Sequence, residues 1–167
     1  IKSKSPVGLR INPQVGTGKI AATSLAGEYS KFGVPIKHYR DEIIDYFKMY
    51  DWLNGIHMHI GSQGCEMQLL LNGIEKGLQL INDINKLLQH ENRAISFFDI
   101  GGGLPVSYHH NLEPPDIKVY GNEIKKLLKK YKLEKLNLIT EFGRYLHVNS
   151  GYIITKVEYA KHYPNVN

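Results

Sequence analysis

Four short apolar runs, spaced along the chain with helical patterns between them, constrain the fold more than anything else in this sequence. They are VGLRIN (Val7 to Asn12), GIHMHI (Gly55 to Ile60), ISFFDI (Ile95 to Ile100) and LNLITE (Leu136 to Glu141). Short runs rich in β-branched and aromatic residues read as strands buried on both faces, as in parallel sheets. Helical spacing follows in Ile43, Ile44, Phe47 and Tyr50, in Leu70, Ile74, Leu78, Ile81 and Leu88, and in Ile124, Leu127, Leu128 and Tyr131. Strands alternating with amphipathic helices predict βαβ units and an α/β fold with a parallel sheet.

The residues with chemical potential sit at the ends of these runs. Arg10, His59, Gly101 and Glu141 are 49, 42 and 40 residues apart, a period that suits successive βα units. Two architectures fit: a doubly wound sheet or part of a (β/α)8 barrel. A whole barrel takes ~250 residues and eight strands, so four strands in 167 residues mean a partial barrel or an open sheet. A fifth run, GYIITKVEYAK (Gly151 to Lys161), alternates more and is expected to lead the chain out as an exit strand. The segment Gln14 to Tyr39 reads as a long loop following the first strand, where loops are often functional. The N-terminus lacks an initiator Met and an apolar signal-peptide core, and enters a strand almost at once. An excised piece of a longer protein is expected.

Composition removes several function classes. No run approaches the ~20 apolar residues of a membrane span. The net charge of +5 is carried largely by KKLLKKYKLEK (Lys125 to Lys135). That stretch reads as a solvated helix face with an apolar stripe, without the interleaved aromatics of a nucleic-acid surface. The single Cys65 excludes an internal disulfide framework and fits a reducing, cytoplasmic setting.

Three constellations point to chemistry. Gly101, Gly102 and Gly103 follow a strand directly, so backbone N–H groups there can approach a phosphate, or the run is simply a tight turn. Pro105 argues against a dinucleotide-binding helix. His57 and His59, two apart, project to one face. They read as metal ligands, as hydrogen-bonded polar residues inside a barrel, or as an imidazole stacked on a cofactor ring with Ser62 offering a hydroxyl to phosphate. Glu141 is a candidate general base, metal ligand or partner for a ring nitrogen, with Gly143 permitting close approach and Arg144 supplying a cation. The plainer alternative is a Glu141–Arg144 salt bridge. Arg10, among apolar neighbours, needs an acidic or anionic partner such as Glu141 or a cofactor. Cys65 lacks an adjacent acid–base pair and reads as a spectator thiol.

Taken in order, LRINP, SKFG, HMHIGSQ, DIGGG and EFGR resemble the pyridoxal-phosphate-dependent decarboxylases with an alanine-racemase-type barrel, the diaminopimelate, ornithine and arginine decarboxylase group. HIGSQ and the tail GRYLHVNSGY, with Asn149 and Gly151, place the chain nearest the diaminopimelate members. The resemblance implies pyridoxal 5'-phosphate as cofactor, a basic or diamino acid substrate and a homodimer. His59 would stack on the pyridine ring and Glu141 would pair with its nitrogen, both as catalytic residues. Ser62, Gly102, Gly103 and Arg144 would hold the phosphate, Gly101, Gly143 and Arg10 would also bind the cofactor, and no metal is implied. Two departures stand out. Phe142 occupies the position where the family carries proline. The Schiff-base lysine and the C-terminal β domain are not found in the 167 residues, so 1–167 is expected to be the C-terminal part of the barrel domain and inactive alone. Lys31 of SKFG is not that lysine. Two rival functions remain: a catalytically silent homologue that binds a partner, and a metal-dependent barrel hydrolase.

Overall fold

In a computed structural model of the chain, residues 5–19, 24–108, 113–162 and 164 are described. Among these residues five parallel strands form one sheet: β1 (Val7–Asn12), β2 (Val34–Pro35), β3 (Leu53–His57), β4 (Phe97–Asp99) and β5 (Asn137–Ile139), in the order β2-β1-β3-β4-β5. Helices α1 (Ile36–Met49), α2 (Met67–Leu88) and α3 (Ile117–Lys130) connect them, and a short α4 (Gly143–His147) follows β5.

The register separates two faces. Leu9, Ile56, Phe98 and Leu138 are paired across adjacent strands, and Ile56 and Phe98 are fully buried. A Cβ added to Gly77 of α2 would lie 2.3 Å from Phe98 Cζ, so this face is the one beneath the helices. Side chains alternate along a strand, so the next row, Arg10, His57 and Asp99, faces the other way. It is only partly buried. Helices on one face, with β1, β3, β4 and β5 adjacent in chain order, are the winding of a barrel wall; a doubly wound sheet would reverse direction and cover both faces. On the inner face, Phe97 lies across Gly55 and Gly8, where a Cβ would meet its ring at 2.0 and 3.0 Å.

The core under the helices comes from the periodic apolar positions. Helix α2 buries Leu70, Ile74, Leu78, Ile81 and Leu88, and α3 buries Tyr120, Ile124 and Leu128 while its lysines stay outside. The α3 helix ends at Lys130, ahead of the sequence expectation, because Lys132 takes a positive φ of 56° and turns the chain. Its N-terminus is capped by Asp116, whose carboxylate accepts from Lys118 N at 2.7 Å.

Three expectations change. Strands β3, β4 and β5 end at His57, Asp99 and Ile139, short of the apolar runs that announce them, because loops diverge at the site. Single ladder bonds still run past their ends, from Met58 N to Asp99 O (2.9 Å) and Ile100 N to Ile139 O (3.0 Å). The presumed loop 14–39 contains β2 and the first turn of α1. Residues 151–161 form no strand. Tyr152, Ile153 and Ile154 are at least 93% exposed, so the exit segment has no sheet partner among the described residues.

Candidate functional site

The C-terminal ends of β1, β3, β4 and β5 bring the predicted residues together. His57 closes β3, and His59 lies two residues on, still on the inner side. Glu141 follows β5, anchored by its N–H to Gly101 O at 2.9 Å. Its carboxylate reaches both imidazoles: Oε2 lies 3.1 Å from His59 Nδ1 and Oε1 lies 3.8 Å from His57 Nε2. Burial, the largest influence, lowers the His57 pKa below its ordinary 6.5; Asp99 and Glu141 oppose that and Arg10 adds to it. His57 is therefore neutral near pH 7, and its approach to Glu141 is not an ion pair there. Among the described residues its Nε2 is buried without a hydrogen-bond partner.

His59 Nδ1 has two suitors. The N–H of Gly102 donates to it at 3.2 Å, while Glu141 Oε2 stands at 3.1 Å. One nitrogen cannot accept from the amide and donate to the carboxylate in the same tautomer. The site thus holds a proton choice at His59.

The glycine run is required by its geometry. Gly101 and Gly103 take φ of +70° and +90°, and a Cβ on Gly103 would sit 2.0 Å from Gly61 O. Gly102 passes so close to the β5 end that its Cβ would be 2.5 Å from Glu141 O. Asp99 Oδ1 accepts from Gly101 N at 2.9 Å and holds the turn. Beside it, Gln63 clasps the next loop at both sides of one residue: Nε2 donates to Val106 O (3.0 Å) and Oε1 accepts from Val106 N (3.2 Å).

Arg144 does not pair with Glu141. Its guanidinium donates to the Tyr108 hydroxyl and, at 3.5 Å, to Ser62 Oγ. With two neutral partners it keeps its charge available to an anion. Arg10 has an aromatic neighbour. No carboxylate pairs with it among the described residues, and its guanidinium lies 4.8 Å from the centroid of Phe32 in SKFG, a cation–π contact that stabilises it without an acid. Cys65 is buried, which raises its thiol pKa, in keeping with a spectator.

His59, Ser62, Gly103, Leu104, Glu141, Phe142, Gly143, Arg144 and Tyr145 line a hollow of ≈ 210 Å³. A larger hollow, ≈ 690 Å³, lies at the opposite ends of β4 and β5 among Asn85, Ile95, Ser96 and Leu133. Chemistry in such sheets belongs at the carboxyl ends of the strands, so the smaller hollow is the candidate. An imidazole, a carboxylate, a hydroxyl, a guanidinium and Gly103 in a forced conformation surround it, and the orphaned His57 Nε2 lies 3.8 Å from the lining Glu141. That donor set fits a flat, phosphorylated cofactor. A cation is the other possibility, since ligand atoms of His57, Asp99 and Glu141 lie within 4.8 Å of one another. Two of the three are already engaged, however: Asp99 by Gly101 and Glu141 by His59.

Sequence reasoning overlooked Asp99, Tyr108 and Gln63 as site-building residues. Asp99 stood in DIGGG without a role of its own, and the structure puts it at the end of β4 in register with His57; Tyr108 had no signal, because it arrives by a loop.

Comparison with known proteins identifies the family. The family described as "Pyridoxal-dependent decarboxylase, pyridoxal binding domain" matches residues 1–148. The diaminopimelate decarboxylase of Buchnera aphidicola subsp. Acyrthosiphon pisum (strain APS) is 36% identical over 164 residues, covering 96% of this chain and 37% of that protein. That of Zymomonas mobilis subsp. mobilis (strain ATCC 31821 / ZM4 / CP4) is 34% identical over 159 residues, with 92% and 35% covered. Among solved structures, the M. jannaschii diaminopimelate decarboxylase superposes with a TM-score of 0.73 at 28% identity, covering 95% of this chain and 37% of that one. The Helicobacter pylori enzyme complexed with L-lysine gives 0.62 at 31% identity, covering 81% and 32%. The chain spans a little over a third of the curated relatives it matches. The chain belongs to the pyridoxal-dependent decarboxylases, as part of their pyridoxal-binding barrel domain.

Proposed function

We propose that the protein containing this chain removes CO2 from Cα of a basic or diamino amino acid with pyridoxal phosphate, most like a diaminopimelate decarboxylase. The observation that carries this reading is the convergence of Glu141 and His59 beside Ser62, Arg144 and the glycine turn at one rim of the sheet. His59 presents a flat imidazole for the pyridine ring, and Glu141 holds a proton at the ring nitrogen. When bound, the cofactor accepts the electrons released from Cα. Ser62, Gly103 and the Arg144 backbone hold the phosphate, while the N–H of Gly102 is turned to His59 in this structure.

The lysine that carries the cofactor and the C-terminal β domain belong to segments outside residues 1–167 in this reading, and this chain alone does not turn over substrate. The homodimer, the cytoplasmic location and the choice among diaminopimelate, ornithine, lysine and arginine are parts of the same proposal. The L-lysine bound by the Helicobacter pylori relative supports a substrate of that length.

Borohydride reduction of the full-length protein purified with pyridoxal phosphate, followed by peptide mass mapping, tests it. A pyridoxyl adduct on one lysine, with CO2 release from a diamino acid, is expected. Substituting Glu141→Ala should lower turnover ~10²-fold or more, the usual scale for removing one electrostatic stabiliser. An adduct without turnover would favour a silent, partner-binding homologue, for which Glu141→Ala changes nothing. Stoichiometric zinc without an adduct would favour the His57, Asp99 and Glu141 cation site and a barrel hydrolase.

A further inference from the structure

We propose that Phe142 is a positioning residue for Glu141, acting through an aromatic tether between the end of β5 and helix α3; this rests on the decarboxylase reading above. Glu141 is held on its N-terminal side by the bond to Gly101 O. On its C-terminal side the chain turns at once into α4, where Gly143 N returns to Glu141 O at 2.9 Å. Helix α4 has five residues, too few to hold itself in water. The Phe142 side chain ties its start to the core.

The Phe142 ring lies 6.0 Å from the Tyr120 ring at 56° and 6.5 Å from the Tyr145 ring at 53°. Both are tilted contacts in the favourable range for aromatic pairs. Tyr120 is 2% exposed and sits in α3, so one end of the tether is embedded in the core. Tyr145 adds a bond from its hydroxyl to Pro115 O at 3.3 Å, and Phe142 O accepts from Leu146 N at 3.1 Å to start α4. The Glu141 side chain is itself about half exposed, 48%. Side-chain packing therefore contributes little to its placement, and the backbone on either side decides where the carboxylate stands against His59. Phe142 has φ −80°, inside the range of proline. The two residue types thus reach one end by different means: proline by stiffening φ, phenylalanine by packing.

The test compares the full-length protein with its Phe142→Ala, Phe142→Leu and Phe142→Pro variants, each purified with pyridoxal phosphate. Thermal unfolding, the visible absorbance of the bound cofactor, kcat and KM are read. A displaced catalytic carboxylate costs on the order of 10- to 100-fold, so Phe142→Ala should lose that much kcat with KM nearly unchanged. Its cofactor absorbance should shift, as the ring nitrogen loses its fixed partner. Phe142→Leu, which keeps apolar volume on Tyr120, and Phe142→Pro, which restricts φ, should each recover most of the loss. If Phe142→Ala fails to fold, Phe142→Val, which retreats further from Tyr120 than leucine does, takes its place: lower kcat with shifted absorbance there, recovered in Phe142→Pro, supports the tether, and parent values in it overturn the tether. The tether is overturned if the parent is loaded and active while the folded variants match it in kcat and absorbance. It is equally overturned if they differ only in melting temperature. A parent that traps no cofactor overturns the decarboxylase reading, and the tether with it.

Discussion

At the scale of single residues, the site is built from groups whose alternatives are closed off by neighbours. Gly103 combines φ +90° with a Cβ position 2.0 Å from a carbonyl oxygen. Gly103→Ala should destabilise the fold by at least ~2 kcal/mol, since strain and backbone overlap act together; urea unfolding reads this directly. His57 yields a pH signature. The unfolded chain takes up this proton near pH 6.5, while the folded chain, with its lowered pKa, takes it up only at lower pH. The stability contributed by neutral His57 is thus present above pH 6.5 and is lost as the pH falls through the folded-state value. His57→Asn should flatten the fall in melting temperature between neutral and mildly acidic pH; an unchanged slope would assign it to other groups.

At the scale of elements, α2 fixes the wall. Its Gly77 lets the helix approach Phe98 of β4, where an added methyl would stand 2.3 Å from Cζ. Alanine is the better helix former by ~1 kcal/mol, yet overpacking costs ~1–3 kcal/mol. Gly77→Ala should therefore destabilise, and a gain in melting temperature would show that the helix slides freely. The strands and helices were legible in the sequence because burial enforces local patterns, such as the apolar runs around Ile56 and Phe98. Along α2, Ile74, Leu78 and Ile81 repeat at helical spacing whatever the sheet does. The ladder of β2, two residues long, left no pattern to read. Tyr108 was invisible because it reaches Arg144 from a loop with no pattern of its own, and Gln63 was legible as a motif residue but not as the clasp on Val106. Arg10 called for an acidic or anionic partner, and the Phe32 ring beside it went unread because a cation–π contact leaves no charge pattern in the sequence.

At the scale of the whole molecule, the described sheet has two open edges, β2 and β5. The β5 edge carries Ile139, 44% exposed, on the inner face. Unpaired parallel strands are templates for pairing with other chains. The 167-residue chain expressed alone should self-associate with rising concentration, and Ile139→Lys should reduce this in sedimentation velocity. No change would mean the edge is covered. The alternation along β1, β3 and β4 has a historical consequence as well. Arg10, His57 and Asp99 share a face because their strands are in step, and a single inserted or deleted residue within any of them would turn that side chain to the helices. Descendants of this gene can lengthen or shorten their loops freely, but their strands can change only by substitution.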